Sequence, residues 1–518
     1  MCGSRHRSSC AGCGHVLSRR DFVKGCGVAL ATGGLASAAA AAETPDGKPV
    51  RVGLIFLSKE KPSWPHPEFD IVAREKEVLD LLTKGCPGVE FVPVAVRNPA
   101  DVGKALAMKD QVDGYLVYIV TLTWNLQATL VPIGKVGRPL LVADEFLGGS
   151  GVFLCGYSVL CRQGIPAAGV ATTRLDDLVA VARCFAGVKK PGVTQASFAE
   201  ECWQVYRKTF AKAGEMTCRD DAVSLTDIGK CVEQFRKSRF LIVGRGKAGA
   251  EQDFLGAKGL YIGFDELKAL YDKADPDKAA EWADRWSKEA DKVVEATPDW
   301  IRKAGAIYLA TLDLLKRHGT DTVTMNCLGG FGSGRLAAYP CLGFMQILND
   351  GGQGVCEAMA DDTLSMLMAR ILTGRPGYVS DPVLDTSKNQ IVYAHCVATT
   401  KAFGPKGASN MYRIRTLHNH DARGTCAQSF LPEGYMTTSF RTSAGRKQMV
   451  IHQAKAVGNL DSAYGCRTQL VGEVRGDIGN LFQQWDHFGW HRVTVYGDVK
   501  EPLIEFGKAL GLTIVEEA

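Results

Sequence analysis

The feature that most constrains the fold is a regular alternation of short apolar runs with longer amphipathic segments. Residues 50–57 read VRVGLIFL, a continuous apolar run typical of a strand buried on both faces. A helical pattern over 68–84 follows, then strand-like runs at 89–96, 114–120 and 139–144. This βαβ rhythm predicts a parallel, doubly wound sheet.

A second α/β unit is predicted from about residue 171. Strand-like runs lie at 239–243, 260–262 and 323–327, and a long charged helical stretch covers 275–315. Asp275 followed by Pro276 is typical of a helix N-terminus. After Pro376 the rhythm changes to short strands separated by turn residues, with one late helix. The predicted fold class is therefore α/β, with two consecutive doubly wound (Rossmann-like) domains followed by a mostly β C-terminal domain. The predicted boundaries are 43–170, 171–375 and 376–518.

Residues 1–42 have the pattern of a twin-arginine export signal. Ser18-Arg19-Arg20-Asp21-Phe22 precedes a Gly/Ala-rich apolar stretch over 25–42 that ends in small residues. This stretch is shorter and less apolar than a bilayer span of roughly 20 residues requires. We therefore predict a cleaved signal, no stable membrane insertion afterwards, and a periplasmic or other extracytoplasmic location.

Charge and cysteine usage exclude several classes of protein. Residues 1–42 hold five basic residues and one acidic residue, which leaves 56 basic against 55 acidic in the rest of the chain. No basic patch indicates nucleic acid. Four of the 17 cysteines lie in the signal, and the remaining 13 are scattered without the spacing of a disulfide framework. Most are predicted to be small buried apolar residues.

The chemistry-bearing residues concentrate between positions 339 and 381. Glu357 directly follows the strand-like residues 354–356, and Asp381 is predicted on an exposed turn before Pro382. Carboxylates at strand ends lie where open α/β sheets bind ligands. With imidazole from His395 or His491 they would suit Mn²⁺, or less specifically Fe²⁺, Co²⁺ or Zn²⁺. Taken singly, a carboxylate at a strand end is more often an ordinary turn or cap residue than a ligand.

A series of short motifs in residues 320–518 has a shared order and spacing. The motifs are Pro340-Cys341, Leu348-Asn349-Asp350-Gly351, Cys356-Glu357-Ala358, Leu372-Thr373-Gly374-Arg375-Pro376, Asp381, His395-Cys396, Gly465-Cys466-Arg467, His491 and Tyr496-Gly497-Asp498. In this order they resemble the L-fucose isomerase and L-arabinose isomerase superfamily of metal-dependent aldose–ketose isomerases. The interval of 24 residues between Glu357 and Asp381 is similar to that between the two metal-binding carboxylates of fucose isomerases. Before residue 320, the resemblance to this superfamily is limited to the pattern of two α/β domains.

The resemblance implies specific roles. Glu357 and Asp381 would bind the metal, expected to be Mn²⁺ or another divalent ion, and act as acid/base groups through a cis-enediol intermediate. His491 would be the third ligand, with His487 as the rival for that role. His395 would be a fourth ligand, or would lie just outside the ligands, or would be an ordinary core histidine.

Further side chains are assigned to the substrate or to the surface. Arg467, Trp124 and Trp490 are the predicted substrate contacts, although Arg467 is also consistent with a structural ion pair and Trp124 with plain packing. His418 and His420 are predicted on a surface loop.

The resemblance implies a sugar substrate, which is a pentose, a deoxyhexose or a modified sugar, and a homo-oligomer, either trimer or hexamer. A neighbouring subunit's first domain would close the site. Two features depart from the family pattern: Asn326 precedes Cys327 where a basic residue is usual, and Glu357 is followed by Ala358-Met359-Ala360-Asp361. The alternatives are an exported sugar-binding protein and a catalytically inactive relative of the isomerases.

Overall fold

The protein's computed structural model describes residues 48–123, 126–418, 423–485 and 489–518, together with a two-residue strand, Val16–Leu17. The predicted signal segment otherwise lies outside the described residues. Within these ranges, no helix is both long and apolar enough to span a bilayer.

The N-terminal unit is built on a five-stranded sheet in which every neighbouring pair is parallel. In spatial order its strands are Val89–Val96, Val50–Leu57, Gly114–Ile119, Leu140–Asp144 and Ala168–Val170. Its α-helices are Ile71–Gly85, Val102–Leu106, Gln127–Gly134, Ser150–Arg162, Leu175–Ala182 and Gln195–Arg207, with 3₁₀ turns at Pro99–Asp101 and Arg183–Gly187. The strand Val50–Leu57 has a neighbour on each side and is almost wholly buried, as its continuous apolar run predicts.

The central unit has a second five-stranded sheet, with four parallel strands and one antiparallel edge strand. In spatial order its strands are Gln353–Cys356, Thr322–Met325, Arg239–Val243, Ala257–Ile262 and Glu251–Phe254. Its helices are Ile228–Lys237, Phe264–Tyr271, Pro276–Glu289, Pro298–Arg317, Cys327–Gly332, Cys341–Asn349 and Ala360–Thr373. Asp275 caps the helix that begins at Pro276 by accepting from the N–H groups of Asp277 and Lys278, as predicted.

The C-terminal unit is a closed six-stranded antiparallel barrel. Around the barrel the strands are Gln448–Leu460, Met436–Ser443, Arg492–Tyr496, Tyr378–Asp385, Gln390–His395 and Thr468–Arg475, which pairs back to the first. Thr513–Glu516 and Val16–Leu17 add to the long first strand in parallel. The helices are Ile478–Gln484 and Lys500–Ala509, with a 3₁₀ turn at Thr386–Lys388. A small sheet of Lys292–Val293, Tyr412–Arg415 and Cys426–Ser429 joins central-unit and C-terminal segments.

The structure confirms the predicted fold class of two Rossmann-like sheets followed by a β-rich unit, and it shows that the last is a barrel. One local prediction was wrong: Asp381 does not lie on an exposed turn. It lies within the strand Tyr378–Asp385, opposite Ala394, and its side chain is 14% exposed. The Pro that follows does not end the strand, because a residue before Pro is itself restricted to extended backbone. The strand Thr468–Arg475, which closes the barrel, was also missed.

A buried ionic cluster fixes the C-terminus to the barrel. Glu517 is fully buried and accepts hydrogen bonds from Arg492 and from His452, whose Nδ1 lies 2.9 Å from Glu517 Oε2. The Arg492 guanidinium also stacks on Trp485, 3.8 Å from the ring centroid. Burial alone would raise the pKa of Glu517, but Arg492 and His452 outweigh it and lower that pKa to about 2.

Replacing Glu517 by glutamine is expected to destabilise the fold by about 3–5 kcal/mol at neutral pH, because it leaves Arg492 buried without its counter-charge. Since the folded-state pKa is depressed, the stabilisation is present above the unfolded pKa of about 4.3. It is lost as the pH falls towards 2. Urea unfolding of both proteins between neutral and acidic pH checks this. A difference in the free energy of unfolding between the two proteins that stays constant as the pH falls would contradict the electrostatic explanation.

Candidate active site

The first carboxylate of the candidate site lies at the end of a central-unit strand, in a strained backbone conformation. Glu357 directly follows the strand Gln353–Cys356 with φ +67°, and Ala358 has φ +51°. Two consecutive non-glycine residues in the left-handed region are rare and cost free energy, and such strain clusters at functional sites. The Ala358 N–H donates to the Met325 carbonyl of the neighbouring strand at 2.9 Å, which fixes the turn. The Glu357 side chain is 18% exposed.

The barrel supplies the groups that face this carboxylate. His491 immediately precedes the barrel strand Arg492–Tyr496, which pairs with the strand carrying Asp381. Its Nε2 lies 3.5 Å from Asp381 Oδ1 and 3.8 Å from Glu357 Oε2. The predicted acid pair and His491 therefore meet at the seam between the central unit and the barrel.

A buried carboxylate orients the His491 ring. Asp362, in the first turn of the helix Ala360–Thr373, is fully buried, and its Oδ2 lies 2.5 Å from His491 Nδ1. Because a carboxylate only accepts, Nδ1 carries the proton in this bond. Arg441 donates from Nε to the other Asp362 oxygen at 2.6 Å. This Arg441–Asp362–His491 chain aims Nε2 at the two carboxylates.

His395 completes the cluster from the adjoining barrel strand. Its ring centroid is 5.4 Å from that of His491. Glu357, His395 and His491 each place a ligand atom within 4.8 Å of the others. Asp381 is not part of this set, but it approaches His491 at 3.5 Å. The structure therefore brings Glu357, His395 and His491 together and places Asp381 against His491.

The cluster is strongly coupled electrostatically. Burial raises the pKa of Asp381 to about 7; Glu357 adds to this rise and His491 opposes it. Burial would lower the pKa of His491, but Asp362 outweighs it and, with Asp381 and Glu357, raises that pKa to about 9. Burial lowers the pKa of His395, and the nearby His491 lowers it further. A cation between the two carboxylates stabilises the charged form of each, whereas the carboxylates destabilise the charged form of one another.

The residues present fit a divalent metal ion. His491 Nε2 and His395 Nδ1 are buried and have no hydrogen-bond partner within the described residues. Buried polar atoms without a partner are costly, so they indicate a group that binds there. Two carboxylates and two imidazoles are the ligand types that Mn²⁺, Fe²⁺, Co²⁺ and Zn²⁺ accept. The donor set does not choose among these ions.

The predicted substrate contacts differ in outcome. Trp490 is partly exposed, and its ring centroid lies 5.7 Å from that of His491. Arg467 is fully buried and donates from Nε and Nη2 to the carbonyls of Thr416 and Leu417, at 2.8 and 2.9 Å. Arg467 Nη2 also donates to the Thr416 hydroxyl, whereas the buried Nη1 has no partner within the described residues. The substrate contact of Arg467 therefore stays a prediction. Trp124 and His487 lie outside the described residues.

The prediction of a surface position for His418 was wrong. His418 is partly buried, and its Nδ1 faces the thiols of Cys396 and Cys466. Its companion His420 lies outside the described residues. The 13 cysteines of the described residues are all free, and ten of them are buried, as predicted for most.

Sequence reasoning missed Asp362 and Arg441. Asp362 stands five residues after Glu357, and an acidic residue in the first turn of a helix is so common that it gave no signal. Arg441 lies in the barrel strand Met436–Ser443, 79 residues away, and only the tertiary fold brings it to Asp362.

No family model matches the chain. It is similar to two curated relatives, the sulfoquinovose isomerases of Priestia aryabhattai and of Priestia megaterium (strain ATCC 12872 / QMB1551). Each is 29% identical over 199 residues, which covers 37% of this chain and 43% of the relative. The chain thus matches less than half the length of these relatives. The similarity is to sugar isomerases in general and is compatible with the predicted superfamily, whose finer assignment remains a prediction.

Proposed function

We propose that this protein is a metal-dependent sugar isomerase that interconverts an aldose and a ketose. The observation that carries the proposal is the convergence of Glu357, Asp381 and His491, with the buried Nε2 of His491 unpartnered. The similarity to sulfoquinovose isomerases supports the same general reaction. Among the predicted substrates, the similarity to sulfoquinovose isomerases favours a modified sugar over a plain pentose or deoxyhexose.

Glu357, Asp381 and His491 would hold the ion, with His395 as a fourth ligand or directly behind the other three. A divalent ion there would polarise neighbouring oxygens of the sugar and stabilise the negative charge that develops on them. Asp362 holds the Nδ1 proton of His491, so Nε2 is the ring nitrogen that would give up its proton and bind the ion.

The two carboxylates would move the protons. Both are partly exposed while His491 is buried, so they are the groups that a bound sugar can reach. One carboxylate removes the proton from C2, exchanges it with solvent and delivers a proton to C1, and the other transfers the hydroxyl proton from O2 to O1. The intermediate is a cis-enediol, and atoms and charge balance because each proton lost from one position is regained at its neighbour. Trp490 would offer an apolar wall to the C–H groups of the sugar.

Removal of the metal is expected to abolish isomerisation reversibly. Chelator-treated protein should show no turnover of any aldose in a panel of pentoses, 6-deoxyhexoses and C6-modified hexoses, and added Mn²⁺ or Co²⁺ should restore it. Product formation followed by nuclear magnetic resonance checks this. Turnover that persists in metal-free protein would contradict the proposal. Sugar binding without turnover in fully reconstituted protein would favour a sugar-binding protein or an inactive relative.

We also propose that the protein is a homo-oligomer, which the resemblance supports. We propose export through the twin-arginine pathway, which residues 18–24 support.

Within a single chain, the N-terminal unit already approaches the candidate site. A Cβ on Gly151, near the start of the helix Ser150–Arg162, would lie 2.8 Å from the Trp490 carbonyl oxygen.

A further inference from the structure

A second group of metal-ligating side chains lies beside the candidate active site, and the proposed reaction does not use it. This thiol–imidazole cluster consists of Cys396, Cys466 and His418. Their sulfur and nitrogen ligand atoms all lie within 4.8 Å of one another. His418 Nδ1 is 3.6 Å from Cys396 Sγ and 3.6 Å from Cys466 Sγ. Both cysteines are 5% exposed.

The fold brings the cluster together from three separate segments. Cys396 directly follows the barrel strand Gln390–His395, and Cys466 lies two residues before Thr468, which pairs with His395. His418 comes from the segment between the strands Tyr412–Arg415 and Cys426–Ser429. The cluster therefore joins this segment to the end of the barrel.

The position of His418 is held by contacts that do not involve the cysteines. Arg467, next to Cys466, donates to the carbonyls of Thr416 and Leu417. The ring of the buried Trp64 lies against the His418 imidazole, with 6.0 Å between the ring centroids. These contacts hold residues 416–418 in place, and Nδ1 of the partly exposed imidazole is directed at the two thiols.

The distances match those of a tetrahedral zinc site. With Zn–S of about 2.3 Å and Zn–N of about 2.05 Å, a tetrahedral angle places sulfur and nitrogen ligands about 3.6 Å apart. Both observed separations are 3.6 Å. A third buried thiol, Cys426, lies next to Cys396, but it donates to the Thr416 carbonyl at 3.4 Å and is outside the set. The fourth position is left for water.

Hydrogen bonding alone satisfies this arrangement poorly. A single ring nitrogen has either one lone pair or one N–H, so it cannot make two good bonds to two thiols at once. One ion bound to all three atoms removes this conflict. Thiolate ligands select thiophilic ions, whereas the carboxylate-rich site around Glu357 suits harder ones such as Mn²⁺.

We propose that Cys396, Cys466 and His418 form a second metal site that binds Zn²⁺ or another thiophilic ion and is chemically different from the site around Glu357. The ion fixes the segment around residues 416–418 against the barrel, beside the end of the strand Gln390–His395. Each thiol releases its proton to solvent when the thiolate binds the ion, so no oxidant or reductant is needed.

The test uses Co²⁺ as a spectroscopic probe in the full-length protein. The Glu357→Gln variant, in which the first site is weakened, should still bind one equivalent of Co²⁺ with thiolate-to-cobalt charge-transfer absorption. The same variant carrying Cys396→Ala should lose that absorption and that equivalent of metal. Cys202→Ala, which removes a fully buried cysteine of the N-terminal unit, is the matched control and should change neither.

A second measurement covers the case in which the cysteine variant does not fold. In the unmodified protein, Zn²⁺ should protect the Cys396 and Cys466 thiols from alkylation, as read by peptide mass spectrometry, and leave Cys202 unaffected. Absence of both protection and charge-transfer absorption would overturn the proposal. A disulfide between Cys396 and Cys466 in protein purified without oxidant would overturn it as well. Either result leaves the proposed isomerase activity untouched, because that activity rests on other residues.

Discussion

Replacing Glu357 by glutamine is expected to lower turnover by at least about a thousandfold, within the range that a positioned acid/base group contributes. The variant keeps the size and hydrogen-bonding capacity of the side chain but loses its charge and its ability to accept a proton. It should also bind Mn²⁺ more weakly, because one anionic ligand is lost from a cluster that holds two imidazoles. Isomerisation rates at saturating metal and isothermal titration with Mn²⁺ separate the two effects.

The matched control is Glu281→Gln, on the exposed side of the helix Pro276–Glu289. It makes the same chemical change far from the site and should leave both turnover and metal affinity unchanged. Full activity in Glu357→Gln at saturating metal would show that Glu357 takes no part in the reaction. Weakened metal binding with unchanged turnover would leave it as a ligand only.

The second large effect is expected at Asp362, which the reacting sugar does not touch. In Asp362→Asn the buried Arg441 loses its counter-charge, and an unpaired buried charge costs about 3–5 kcal/mol of stability. The amide can also donate to His491 Nδ1, which would place the ring proton on Nε2 and leave no lone pair there for the ion. Loss of such a supporting group lowers metal affinity by roughly 10–100-fold. Thermal unfolding and Mn²⁺ titration measure the two consequences.

A double variant separates stability from function. Asp362→Asn combined with Arg441→Met removes the unpaired charge together with the carboxylate, so most of the lost stability should return. The metal affinity should not, because His491 still lacks its acceptor. Recovery of both together would show that Asp362 acts on the fold alone and does not position His491. Unchanged metal affinity in the single variant would have the same meaning.

The fold class was accessible from the sequence because buried parallel strands produce continuous apolar runs, as in residues 50–57. The barrel was less accessible. Its strand Thr468–Arg475 was missed, and it begins with polar residues that are nonetheless buried, Thr468 and Gln469. This strand therefore lacks the apolar periodicity on which strand prediction rests. Closure of the barrel depends on pairing between distant strands, which no local pattern records.

Of the candidate site, too, only part could be predicted from the sequence. Glu357 and Asp381 were predicted from their spacing, since both belong to short motifs that are read locally. The geometry of Asp381 was mispredicted because Pro382 was taken as a turn signal, although Pro is also tolerated at particular strand positions. Asp362, Arg441 and the thiol–imidazole cluster were not predicted, because each depends on residues tens of positions apart that only the folded chain brings into contact.

Exchange of the sugar's C2 proton with solvent tests the central claim most directly. Protein reconstituted with Mn²⁺ is incubated with candidate aldoses in D₂O, and deuterium at C2 is followed by nuclear magnetic resonance, with Glu357→Gln as the comparison. The account predicts deuterium incorporation for at least one aldose, dependent on the metal and absent in the variant. Conversion of an aldose to its ketose without any exchange would contradict a carboxylate that is open to solvent, and equal exchange in Glu357→Gln would contradict the assigned site.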